Sequence, residues 1–148
     1  MRLKNILPAA LVAVALLTSV ATSCRATATA PDSLPQAART VISKHFSGKQ
    51  AVFVKQETEW TRRFYIVVLD DGSKIEFDSR GEWTEIDCAT GSVPDALVPA
   101  PILAYVRKHF PQCVITEIER DARGYEVDLS NGVDIDFDRH FRVREIDR

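Results

Sequence analysis

The chain states most of its sequence twice. At an offset of 64 residues, Leu34 to Phe46 (LPQAARTVISKHF) aligns with Val98 to Phe110 (VPAPILAYVRKHF), so that Pro35, Lys44, His45 and Phe46 meet Pro99, Lys108, His109 and Phe110. At an offset of 60, Tyr65, Val67, Leu69, Gly72, Ile75, Phe77 and Asp78 meet Tyr125, Val127, Leu129, Gly132, Ile135, Phe137 and Asp138, and Glu85-Ile86-Asp87 meets Glu145-Ile146-Asp147. A fixed internal period means that one supersecondary pattern is used twice. The four-residue change of offset belongs in a hairpin, where length changes cost little.

Each half reads locally as a helix and four strands. Pro35 and Pro99 suit a first helical turn, and Ala38, Val41, Ile42 and Phe46, or Ile102, Tyr105, Val106 and Phe110, then fall on one stripe. Strand-like segments follow: AVFVKQE, FYIVVL, SKIEFD and EWTEID, then VITEIE, YEVDL, VDIDFD and RVREID. Asp71-Gly72 and Asn131-Gly132 predict type I′ hairpins. Gly81 marks another turn, and His140-Phe141 a less usual one. The predicted class is α+β, a tandem repeat of helix plus four-stranded antiparallel sheet with the helices on one side. The predicted units are residues 34–92 and 93–148.

In VDIDFD, Ile135 and Phe137 share one face, so Asp134, Asp136 and Asp138 share the other. The matching outward positions of the first half are Lys74, Glu76 and Asp78. Alternate residues on one strand lie about 7 Å apart, so they do not converge as a calcium loop does. A solvated face is the expectation, with no metal and no cofactor.

The N-terminus carries Arg2 and Lys4, an apolar run from Ile6 to Val20 and small residues before Cys24. That run is too short to span a bilayer and reads as a signal peptide over residues 1–23. Ala21-Thr22-Ser23-Cys24 resembles a lipobox, which predicts lipidation at Cys24; the alternative is ordinary cleavage after Ser23 or within RATATA. Residues 24–33 then form a tether, rich in Ala and Thr. Two of the 19 basic residues and none of the 21 acidic ones precede Cys24, leaving 17 against 21 and a net charge of −4. That balance, without any basic stripe, excludes nucleic acid as a partner and leaves the lipid as the only membrane contact.

A short helix ending in KHFP, then GYEVDLSNGVDIDFD and VREID, with the parallel FYIVVLDDGSKIEFDSRGEWTEID, resembles the PepSY-like family of exported, β-lactamase-inhibitor-like bacterial proteins. The likeness runs from about Leu34 to the C-terminus. It implies sheets that join into a curved surface with helices on one side, and inhibition of a hydrolase or protease by analogy of fold.

No phosphate loop, G-x-S-x-G, H-E-x-x-H or C-x-x-C motif is present, so an enzyme is not expected. His45 and His109 sit at helix ends, where an imidazolium complements the dipole. Cys88 and Cys113 are candidates for a disulfide if their strands are antiparallel neighbours, closing a loop of about 25 residues for ~3 kcal/mol; parallel strands would keep them apart. Phe64, Ile66 and Val68 alternate with the inward Tyr65, Val67 and Leu69, whereas the second half has Glu126 and Asp128 there. With Trp60, Lys74, Glu76, Arg62 and Arg63 they form a candidate face for an unidentified envelope or secreted protein, which Trp83 joins if it points outward; its parity against Ile86 requires either that or a bulge. The alternatives are that the tether covers Phe64, Ile66 and Val68, or that the chain is a structural or sensory envelope lipoprotein that forms a homodimer through that face.

Overall fold

The structure, a computed structural model, describes residues 27–28 and 33–148. The predicted signal peptide, Cys24 and most of the tether lie outside the described residues. Strands form where apolar residues alternate: β2 Ala51–Glu59, β3 Arg62–Leu69, β4 Lys74–Asp78, β5 Trp83–Asp87, β6 Ile115–Arg120, β7 Gly124–Leu129, β8 Asp134–Asp138 and β9 Val143–Asp147. A two-residue strand, β1 (Thr27–Ala28), pairs with Gln56 and Lys55. Helix α1 spans Gln36–His45 and α2 spans Ala100–His109, the latter preceded by a 3-10 turn at Asp95–Leu97.

The expected tandem of four-stranded sheets is corrected by the pairing. All strands belong to one antiparallel sheet in the order β1 to β9, so the protein is mostly β with two helices rather than two helix-and-sheet units. The joint lies between β5 and β6, where Glu85, Ile86 and Asp87 oppose Glu119, Ile118 and Glu117. The segment from Cys88 through α2 returns the chain to the open edge of β5. Backbone groups on that edge need partners, and β6 supplies them.

Both helices lie on the same face. Ala38 of α1 and Ile102 and Val106 of α2 are buried with Ile75, Phe77, Ile86, Ile118, Val127, Ile135 and Phe137 of the sheet in a single apolar cluster. Tyr105 meets Phe137 edge-on with ring centroids 5.5 Å apart. Each fully buried side chain of this size contributes about 1.5–3 kcal/mol. Gly81 lets α1 approach closely: a Cβ there would lie 2.8 Å from the amide nitrogen of Ala38.

The hairpins stand where Asp-Gly and Asn-Gly place them, but the turn differs from type I′. In each pair only the glycine, Gly72 or Gly132, has positive φ, and the Gly72 and Gly132 amides donate to the Leu69 and Leu129 carbonyls. Each is a type I turn closed by one left-handed residue, the three-residue hairpin loop. Gly81 and Phe141 hold the same left-handed place in the β4–β5 and β8–β9 hairpins, Phe141 with φ 62°. Asp78 and Asp138 fix those turns: Asp138 Oδ1 accepts the amides of His140 and Arg142 at 2.8 and 3.0 Å. Those bonds, the Arg142 amide foremost, hold the Asp138 carboxyl down at about 2.

Candidate functional site

With the helices on one side, the opposite face of the sheet is open, and the register fixes what it presents. Residues directly opposed on antiparallel strands point to the same side with Cβ atoms about 4.5–5.5 Å apart. One row across the sheet runs Lys55, Ile66, Glu76, Glu85, Glu119, Glu126, Asp136, Glu145. The row beside it runs Phe53, Val68, Lys74, Asp87, Glu117, Asp128, Asp134, Asp147. From β4 to β9 the first row is six consecutive carboxylates, and from β5 to β9 the second is five. Lys55 and Lys74 stand at the β2–β4 end of these rows, Lys74 being 2.5 Å from Glu85 and 3.7 Å from Glu76. Arg123 and Arg144 flank a shallow depression at the far end with Glu119, Glu126 and Asp136.

Like charges at this spacing resist ionisation. Glu117 is pushed up to about 7 by burial, with Asp128, Asp87 and Glu85 adding to the effect. Glu76, Glu119 and Asp128 are raised too, chiefly by burial and then by neighbouring carboxylates. An isolated strand gives no hint of this, because spacing along a strand exceeds spacing across the sheet. The signal was present in the outward positions of every strand from β4 onward: most are Asp or Glu.

The predicted contact residues divide. Phe64, Ile66 and Val68 of β3 are half-buried on the open face, with Asp78, Glu76 and Lys74 opposite them. Phe53, which sequence reasoning did not select, joins them opposite Val68 and is 43 % exposed. Trp60 projects from the two-residue turn between β2 and β3, 94 % exposed with φ 56°. Trp83 is the correction: it is buried in the core, because a bulge between Glu76 and Phe77 pairs it with Phe77 and turns it inward. The Arg120 guanidinium covers its ring at 4.4 Å. An apolar strip on β3 therefore borders an acidic field on β4 to β9.

Cys88 and Cys113 are both free. Their strands are antiparallel neighbours, yet the Cys88 amide donates to Thr116, so Cys113 lies three residues farther on, beyond the start of β6. That register separates the thiols by more than disulfide geometry spans. His109 stacks on Tyr105 at 4.3 Å, one turn before it on α2. Among the described residues, no three His, Cys, Asp or Glu side chains converge as metal ligands, and no helix is long and apolar enough to cross a membrane.

A two-layer plate with helices on one side and an open, charged sheet on the other is the class that these features define. Residues 63–145 match the family described as "Putative beta-lactamase-inhibitor-like, PepSY-like", and the chain belongs to this PepSY-like family. A DUF2874-family protein from Bacteroides vulgatus described as a "putative periplasmic protein" is similar at 41 % identity and TM-score 0.82, covering 84 % of this chain and 98 % of that one. A protein of Bacteroides thetaiotaomicron described as a "putative calcium-regulated periplasmic protein" is similar at 37 % identity and TM-score 0.80, with coverages of 83 % and 97 %. A second protein of B. vulgatus, described as a "putative periplasmic protein of unknown function", gives 37 % and 0.79 over 83 % and 99 %. No curated protein matches the chain.

Proposed function

We propose that this protein is a non-enzymatic, periplasmic binding module, held to a membrane through lipid at Cys24, whose open sheet face captures a basic protein surface. The observation that carries this reading is the pair of carboxylate rows, unbroken by any cation from β5 to β9. With Glu76 of β4 they make eleven acids at cross-strand spacing that oppose one another in the free protein, and a partner bearing Lys or Arg removes that repulsion on docking. Phe53, Phe64, Ile66 and Val68 add apolar area at one margin, and Trp60 adds an aromatic anchor. Inhibition of a hydrolase or protease is the narrower form, supported by the family description alone; such a target would need a basic rim.

A second reading is favoured by the relative described as calcium-regulated. Calcium takes six to eight oxygen ligands; since no three of the described side chains converge on one point, the ion would sit on an opposed pair such as Glu126 and Asp136, with water completing the shell. Calorimetry on the mature protein separates the two. An oligolysine peptide should bind with an affinity that falls steeply with salt and is lost in Glu119→Gln/Glu126→Gln/Asp128→Asn. Heat with calcium chloride but none with the peptide would favour the ion. Silence with both would refute the use of this face for cationic ligands.

A further inference from the structure

Two long strand edges remain open among the described strands: the outer edge of β9, and that of β2 apart from the two residues held by β1. An open edge presents a row of N–H and C=O groups that templates another strand. The molecule contains its own example of how such an edge is covered. Strand β9 carries the Glu-Ile-Asp of β5, and in β5 those residues are covered by β6. Ile86 is there fully buried, whereas the matching Ile146 is 47 % exposed. Strand β9 thus repeats a core strand, with no strand covering its outer edge among the described residues.

Among the strands of this chain, β2 matches β6. Val54 opposes Val67 as Ile118 opposes Val127, and both strands carry a register shift two to three residues earlier, at Ala51/Phe53 and Ile115/Glu117. Val54 points to the core and Lys55 to the open face. We propose that β9 of one chain pairs antiparallel with the outer edge of β2 of a second copy of this chain, displacing β1, with Ile146 against Val54 and Glu145 opposite Lys55. Charge selects this pairing over β9 with β9, which would set Glu145 against Asp147 or against itself. It also improves on the internal joint, where Glu85 faces Glu119. The contact is head-to-tail, so it propagates through successive copies unless the rotation closes a ring. It uses strand edges, and although Glu145 also ends the first acidic row, its test reads association between copies rather than capture of a cationic ligand by the open face.

The test is sedimentation of the soluble mature chain, residues 25–148, as a function of concentration, with Lys55→Glu and Glu145→Lys. Wild type should associate progressively. Each single variant should associate roughly fivefold to tenfold more weakly, since each places like charges in register. An equimolar mixture of the two variants should recover wild-type association, because the contacts between unlike chains then set opposite charges in register again. Circular dichroism should be unchanged throughout, both sites being on the surface. A wild-type chain that stays monomeric up to about 1 mM, variants that associate like wild type, or a mixture that fails to recover would each overturn the pairing.

Discussion

Replacing Glu117 by Gln should stabilise the protein by an amount that is nil below about pH 4.5 and grows to its full size as pH rises to about 7. Glu117 stands between Asp87 on β5 and Asp128 on β7, each directly opposed to it. Two unit charges about 5 Å apart in water-like surroundings repel by about 0.8 kcal/mol, and physiological salt roughly halves this. Two neighbours therefore cost about 1 kcal/mol. The rise of the Glu117 carboxyl from 4.5 to about 7 would correspond to ~3 kcal/mol if taken whole. Because the side chain is only half-buried, solvent screening brings that figure toward the smaller one. The folded state holds this proton more tightly than the unfolded chain does. Stability is thus fully present below about pH 4.5 and is lost as pH rises through about 7. Urea denaturation at pH 4, 5.5, 7 and 8 should show Glu117→Gln equal to wild type at pH 4 and about 1 kcal/mol more stable at pH 8. A gain that is the same at every pH, or a loss at pH 8, would refute the claim that opposed carboxylates strain this face.

Other consequences are open to direct measurement. Trp60→Gly should raise stability by ~0.5–1 kcal/mol in thermal unfolding, because Trp60 holds φ 56° while 94 % exposed, and a left-handed residue with a Cβ costs about 1–2 kcal/mol. Gly124→Ala should destabilise far more than Gly132→Ala. A Cβ at Gly124 would fall 1.9 Å from the Phe137 carbonyl oxygen, whereas none lies within 4 Å at Gly132, so the latter costs about 1 kcal/mol. Ile118→Ala at the β5–β6 joint should cost ~2–5 kcal/mol, and fluorescence and circular dichroism should still report one coincident transition; two separated transitions would argue against a single cooperative sheet. Native alkylation should modify Cys113 before Cys88, since burial holds the Cys88 thiol up and reduces its thiolate.

Much of the strand layout was legible because alternation is local: Tyr65, Val67 and Leu69 declare their face without reference to any other strand. The position of each hairpin was equally plain, since Gly72 and Gly132 had to be turn residues. Relations between distant segments were not. Nothing in Glu85-Ile86-Asp87 says that Ile118 lies beside Ile86, so the internal matches alone left open whether the two four-stranded patterns stand apart or join, and the pairing makes them one sheet. Trp83 went astray for a related reason: one bulge residue reverses the parity of everything after it. Reading Asp134, Asp136 and Asp138 along their strand concealed that Asp136 has Glu126 and Glu145 as closer neighbours than either of its fellow aspartates. The disulfide failed on register alone, which fixed Cys88 beside Thr116.

The last turns of both helices are basic, Lys44 and His45 on α1 and Arg107, Lys108 and His109 on α2, while the acids crowd the far side of a plate only two layers thick. The molecule is therefore electrically polarised across its thinnest dimension. Small ions therefore meet two different sides: cations collect over the sheet, and anions gather at the helix ends.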